Sequence, residues 1–191
     1  MPTRPNRSGS SGIFIKKTLL FFGLIRPYKG LLELINAFAH LDDTYQLLIA
    51  GEVYGDDQSY HAALGQLPFA NWVFHNRYIA EAEVDSYFAA ADLVVLPYLS
   101  ATQSGIRAMA LSQQRAVLCT NVGGLAEGLA AQNQGFELAS TLAPEFAQRI
   151  QQLFNQGDIE ACNRHLSLLN LDLEQAWLSF AQGISALVEE G

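Results

Sequence analysis

Residues 93–127 read LVVLPYLSATQSGIRAMALSQQRAVLCTNVGGLAE. The apolar run Leu93–Leu96 stops at Pro97 and Tyr98, and a polar, small-residue segment follows at 100–105. A short helical stretch leads to a second apolar run from Ala116 to Cys119, which ends at Val122-Gly123-Gly124. Two buried-strand signals, each followed by a small-residue loop and a helix start, describe a parallel α/β sheet with a binding edge. In such sheets ligands sit beyond the carboxyl ends of the strands, where helix N-termini offer unpaired N–H groups that suit phosphates.

The rest of the chain extends that pattern in both directions. Residues 18–25 (TLLFFGLI) form a continuous apolar run, as expected of a central strand buried on both faces. After Arg26-Pro27-Tyr28-Lys29-Gly30, the residues Leu31, Leu34, Ile35, Phe38 and Leu41 recur at helical spacing. A second strand is expected at 45–50, a weaker helix at 54–67, a short strand at 72–74 and a helix at 81–91. Beyond the opening stretch the pattern gives a short helix from Leu125, a sixth strand at 135–138 and an amphipathic helix stopped by Gly157. Two more helices are expected, at 159–169 and 173–188. Strands alternating with helices imply an α/β, doubly wound, mainly parallel six-stranded sheet with right-handed crossovers and extra C-terminal helices.

Composition narrows the function. The 191 residues suffice for one well-packed domain, expected over 13–191, behind a polar, disordered tail at 1–12. The net charge of −8 argues against nucleic-acid binding. No apolar run reaches the length of a membrane span, although peripheral membrane contact is compatible with the chain. Cys119 falls in an expected core strand and Cys162 in an expected helix, which reads as a reduced, cytoplasmic protein. His40, His61, His75 and His165 have no ligand-like spacing with the cysteines, so no metal centre is expected. The motifs G-x-S-x-G, G-x-x-x-x-G-K-[ST] and G-x-G-x-x-G are missing, which argues against a serine hydrolase, a P-loop enzyme and a dinucleotide dehydrogenase.

Candidate site residues cluster after the expected strands. Arg26 and Lys29 follow the first, either as a cationic clamp on a diphosphate or as solvated loop charges. Arg77 follows the third, to serve a base or phosphate pocket or to pair with Glu81 or Glu83. Thr102, Gln103, Ser104 and Gly105 let a ligand approach the backbone at a helix start; the alternative is a plain cap by Ser100 or Thr102. Gly123 and Gly124 admit either a ligand or a tight strand-to-helix turn, with Glu127 placed to hydrogen-bond into that loop.

Six segments then fall in order: FFGLIRPYKG (21–30), LLIAGE (47–52), FHNRYI (74–79), YFAAADLVVLPY (87–98), SATQSG (100–105) and TNVGGLAE (120–127). Together they resemble the C-terminal, donor-binding domain of the retaining, group 1 glycosyltransferases of GT-B fold. The resemblance implies one Rossmann-like half of a two-domain enzyme that moves a sugar from a nucleoside-diphosphate sugar to an acceptor. It implies that Lys29 and Arg26 hold the donor diphosphate, with 102–105 closing over the sugar and phosphates. Asn76, Arg77 and Tyr78 would form a wall of the base pocket. No metal is implied; fixed cations and helix N-termini stabilise the departing diphosphate.

Two departures from the family pattern stand out. The family's diphosphate Arg usually lies five residues before the Lys, where this chain has Leu24. Its Glu-x7-Glu pair is absent: Ala101 and Met109 occupy those positions, Met109 where a ribose-binding carboxylate is usual, so Gln103 is expected to take over part of the role. A GT-B enzyme also needs an N-terminal acceptor domain, so the chain is expected to be an incomplete donor half. A degenerate protein-interaction or regulatory module is the alternative, and a sugar-nucleotide epimerase of similar architecture a remoter one. An apolar face around Trp177 and Phe180 is the expected docking surface, for that domain or for a second copy, unless it packs on the chain's own sheet.

Overall fold

The computed structural model describes residues 16–102 and 104–189. The expected tail at 1–12 and Gln103 lie outside the described residues, as do the side chains of Trp177 and Phe180.

The strands are β1 (Lys17–Phe22), β2 (Tyr45–Ala50), β3 (Trp72–His75), β4 (Leu93–Leu96), β5 (Ala116–Thr120) and β6 (Gly135–Leu138). The helices are α1 (Leu31–Phe38), α2 (Gln58–Gly65), α3 (Glu81–Ala90), α4 (Gly105–Ser112), α5 (Ala143–Asn155) and α6 (Asp158–Glu189). All strand pairings are parallel, in the order β3-β2-β1-β4-β5-β6. The order reverses between β1 and β4, and such a switch point opens a crevice at the carboxyl ends of the two strands.

The central strands are buried along most of their length because both sheet faces are covered, whereas the edge strands β3 and β6 expose His75 and Glu137. Successive side chains point to opposite faces. Leu19, Phe21, Leu47, Ile49, Leu93, Val95 and Leu118 pack with α1, α2, α5 and the start of α6. Leu20, Phe22, Leu48, Val94, Leu96, Val117 and Cys119 pack with α3, α4 and the turns around Leu125 and Leu129. α6 is anchored at the strand starts by Asn163, whose Oδ1 accepts from Ala116 N at 2.6 Å and whose Nδ2 donates to the Asp92 carbonyl at 2.9 Å.

Four boundaries depart from the sequence reading, each for a local reason. β1 ends at Phe22, not at 25, because Gly23 turns the chain at φ +95°; Ile25 rejoins the sheet region through a single parallel bridge to Val53. The helix expected at 54–67 is shortened to α2, since Gly55 takes φ +109° ahead of it. No helix starts at Leu125: Gly124, Gly128 and Asn133 all adopt positive φ, which breaks 123–133 into successive turns. The helices expected at 159–169 and 173–188 are one continuous helix, α6, with no glycine or proline between them to stop it.

Candidate functional site

The loops after β1 and β4 meet at the switch point. Pro27–Lys29 form a single 3-10 turn closed by Gly30 at φ +72°. A β-carbon on Gly30 would run into the Pro97 carbonyl, so only glycine lets the two loops approach this closely. Leu99 N donates to the Tyr28 carbonyl at 2.7 Å and ties the loops together. The Tyr28 and Tyr98 rings meet edge to face at 6.3 Å, and Thr120 Oγ1 donates to the Tyr98 carbonyl at 2.6 Å, which joins the loop to β5.

A cleft of about 600 Å³ opens between these loops. Leu24, Tyr28 and Lys29 line it from the β1 loop; Tyr98, Ser100, Ala101, Thr102 and Ser104 line it from the β4 loop. α4 begins at its margin. Ser104 caps that helix, its Oγ accepting from Arg107 N at 3.3 Å, while the first-turn amides of Gly105 and Ile106 have no intrahelical partner. The cap is therefore Ser104, not Ser100 or Thr102. Tyr98 Oη and Ser104 Oγ are 3.4 Å apart.

Lys29 is half-buried, with Nζ 5.5 Å from the centre of the Tyr98 ring. Burial, and then the neighbouring Arg26 charge, lower its pKa from the ordinary lysine value. No carboxylate lines the cleft among the described residues, so the lysine's charge is uncompensated there. Arg26, expected beside Lys29, lines neither this cleft nor the next; its guanidinium lies 4.4 Å from the centre of the Tyr54 ring.

A second pocket, of about 440 Å³, adjoins the first across Leu24, which lines both. Phe22, Gly23, Ile79, Val84 and Met109 make it largely apolar; Tyr78, 74% exposed, forms its outer wall, and among the described residues Glu52 and Glu81 bring the charges that line it. Asn76 and Arg77 do not line it. Asn76 is spent behind the wall: Oδ1 accepts from Val53 N at 2.9 Å and Nδ2 donates to Asp57 Oδ2 at 2.7 Å. Arg77 forks onto Glu83 at 2.9 and 2.5 Å and reaches the Tyr78 carbonyl at 3.1 Å. That fork, and the Ala80 amide donating to Glu83, pull the Glu83 carboxyl down to about 2.

The structure thus brings Lys29, Thr102, Ser104 and Gly105 into one cleft, and Tyr78 and Met109 into its neighbour. Gly123 and Gly124 stand one layer behind. Gly123, at φ +51°, lets the β5 loop lie against the Ala101 carbonyl, where a β-carbon would collide. Arg107 holds that loop by donating to the carbonyls of Gly124, Leu125 and Glu127 at 3.4, 3.0 and 2.6 Å. Sequence reasoning missed Tyr28, Tyr98, Ile106, Glu52 and Glu81 as lining residues, and named Leu24 only as the residue at the family's arginine position. Their signal is position in the segments that follow the strands' carboxyl ends, Ile106 in the first turn of α4. Among the described residues no three His, Cys, Asp or Glu side chains gather as metal ligands would, and no helix is long and apolar enough to cross a membrane.

Comparison with known proteins agrees with this geometry. The family model for group 1 glycosyl transferases matches residues 16–156. No curated protein matches the chain in sequence. Among solved structures, the C-terminal domain of a group 1 glycosyl transferase, LpcC of Francisella tularensis, superposes with a TM-score of 0.68 at 18% identity, over 81% of this chain and 85% of that one. HepE of Anabaena, solved in complex with UDP-glucose, gives 0.68 at 17% identity over 89% of this chain and 54% of its own. WaaG, a glycosyltransferase of lipopolysaccharide biosynthesis, gives 0.68 at 22% identity over 81% and 42%. The chain spans most of the LpcC domain but only about half of the longer enzymes, and its sheet is the Rossmann-like half of a GT-B fold. Taken with the sheet order, the model's match over most of the chain decides the family: this chain belongs to the group 1 glycosyl transferases.

Proposed function

We propose that this chain is the donor-binding half of a glycosyltransferase, taking a nucleoside-diphosphate sugar across its two adjoining clefts. One observation carries the reading: a half-buried lysine with no compensating carboxylate faces a cleft that opens, across Leu24, into an apolar pocket. A diphosphate suits the first cleft and a nucleoside the second. HepE, of similar fold, is known with UDP-glucose bound, which supports this ligand class.

In this reading Lys29 and the free amides at the start of α4 stabilise the charge that develops on the diphosphate as the sugar's C1–O bond lengthens. Thr102 and Ser104 hydroxyls orient the sugar and the phosphates. Tyr78 and Met109 flank the nucleoside. Arg26, released from the Tyr54 ring, adds a second cation at the rim. An acceptor must be held against the donor for transfer to occur, so the donor half by itself binds without turning over, and an acceptor-binding domain completes the site.

Calorimetric titration with UDP, GDP and ADP tests the proposal. Saturable binding by one of them, weakened in Lys29→Ala, is the expected result. Failure of all three to bind, also in the presence of an acceptor-binding domain, overturns it in favour of a non-catalytic interaction module.

A further inference from the structure

Building on the donor-site reading, we infer that Glu52 holds the ribose hydroxyls of the bound nucleotide and so restores the sugar contact that Met109 on α4 cannot make. Met109 lines the pocket with a thioether, which is at most a weak acceptor. A carboxylate has to come from elsewhere on the wall if vicinal hydroxyls are to be bound strongly, and the lining offers Glu52 and Glu81.

Strand order separates the two. The diphosphate cleft is built by the loops after β1 and β4, and the pocket continues outward over β2 and then β3. The ribose lies between diphosphate and base, so it comes to rest over the loops after β1 and β2. Glu52 belongs to the β2 loop, beside the junction residues Gly23 and Leu24. Glu81 opens α3, beyond β3, at the end left for the base.

The backbone around Glu52 is fixed from several directions. Gly51 N donates to the His75 carbonyl at 3.1 Å, Ile25 N donates to the Glu52 carbonyl at 2.8 Å, and Tyr54 N donates to the Ile25 carbonyl at 2.9 Å. Val53 N is taken by Asn76 Oδ1 at 2.9 Å. A β-carbon on Gly51 would strike the Gly23 carbonyl, so the β1 and β2 loops are in direct backbone contact next to Glu52 in the chain. Yet the Glu52 side chain is exposed and meets no cation or donor among the described residues. A carboxylate on a fixed backbone, at the mouth of an apolar pocket and without a partner among the described residues, accepts hydrogen bonds from neutral hydroxyls at the cost of ordering one side chain. It also repels phosphate, so with Lys29 in the other cleft it fixes which way round a nucleotide enters.

The experiment compares each ribonucleoside diphosphate (UDP, GDP, ADP) with its 2′-deoxy counterpart by calorimetry, in the unaltered chain and in Glu52→Ala, Glu52→Gln and Glu81→Gln. Thermal melting of each variant verifies that it folds. For the nucleotide that binds, loss of the 2′-hydroxyl is expected to weaken affinity about tenfold or more, as befits a hydrogen bond to a charged group. That penalty is expected to fall below about threefold in Glu52→Ala, to be partly retained in Glu52→Gln, and to persist in Glu81→Gln. Equal binding of the ribo and deoxy forms, a penalty that survives in Glu52→Ala, or one that disappears in Glu81→Gln instead, overturns the assignment while leaving the donor site intact. Absence of binding by every ribonucleotide overturns the donor site itself, and this assignment with it.

Discussion

Replacing Lys29 with methionine separates a binding residue from a structural one. The side chain is half-buried, burial and Arg26 lower its pKa, and no carboxylate in the cleft offsets its charge. A hydrogen bond from a charged donor to phosphate contributes about 1.5–3 kcal/mol, which is a factor of about 10–150 in affinity. Lys29→Met is therefore expected to weaken nucleoside-diphosphate binding by one to two orders of magnitude, and to change binding of the free nucleoside by less than about threefold, since the nucleoside pocket does not include Lys29. Stability moves the other way. Because the folded-state pKa lies below the unfolded one, the charged lysine disfavours folding at neutral pH. That penalty lifts only as pH climbs through the lowered pKa towards the ordinary lysine value. Melting at pH 7 should show Lys29→Met at least as stable as the parent. Diphosphate affinity should fall in the same alkaline range in the parent, and stay flatter in Lys29→Arg, whose charge persists. A variant that loses nucleoside and diphosphate binding equally, or that loses melting temperature together with affinity, refutes the argument and makes Lys29 a packing residue.

Other perturbations test the frame around the clefts. Gly30→Ala must hold φ +72° with its methyl against the Pro97 carbonyl; it is expected to lose at least ~1–2 kcal/mol of stability in urea melts. Gly65→Ala, with open space around its β-carbon, is expected to lose nothing in the same melts. Asn163→Ala strips a buried-edge contact from both Ala116 N and the Asp92 carbonyl and is expected to cost about 1–3 kcal/mol while leaving nucleotide affinity unchanged by calorimetry. Leu24→Arg places a guanidinium on the wall shared by both pockets; diphosphate binding should tighten several-fold at low salt, and the gain should shrink as salt rises.

The layered sheet was legible because its code is redundant. Each core strand is apolar on both faces, and each crossover carries its own helical stripe. What the pattern could not deliver was the end of an element when apolar residues continue past it. In the run TLLFFGLI nothing in hydropathy separates Phe22, the last strand residue, from Ile25, which rejoins the sheet region after the turn at Gly23. The reverse error came at 169–173, where a polar interruption looked like a boundary but no breaker residue exists and α6 runs on. At the site, cations and small residues were readable because they are conspicuous in an acidic, apolar chain. Arg77 could not be decided from sequence, since a guanidinium near two glutamates is as consistent with a pocket as with the Glu83 fork. Ile106 read only as part of a helix, and Leu24 and Tyr28 drew no lining role of their own, because an apolar residue gives no sign of facing a cleft until its loop is placed.

The position of β1 explains why so much converges on one short loop. It is the strand at which the order turns, so its carboxyl end is flanked by β2 on one side and β4 on the other. A loop leaving that strand can contribute to a crevice in both directions. Leu24 does so, lining both pockets, while Lys29, a few residues on, faces only the β4 side. The glycines around it serve this geometry. Gly23 turns the chain out of the sheet, Gly30 admits the Pro97 carbonyl, and Gly51 admits the Gly23 carbonyl from β2. Backbones packed this closely fix where each loop, and so each Cα, sits relative to the clefts. The two clefts therefore differ in charge before any ligand arrives, with Lys29 lining one and Glu52 and Glu81 lining the other. A nucleoside diphosphate, charged at one end and neutral and hydroxyl-bearing at the other, meets that pattern in one orientation only.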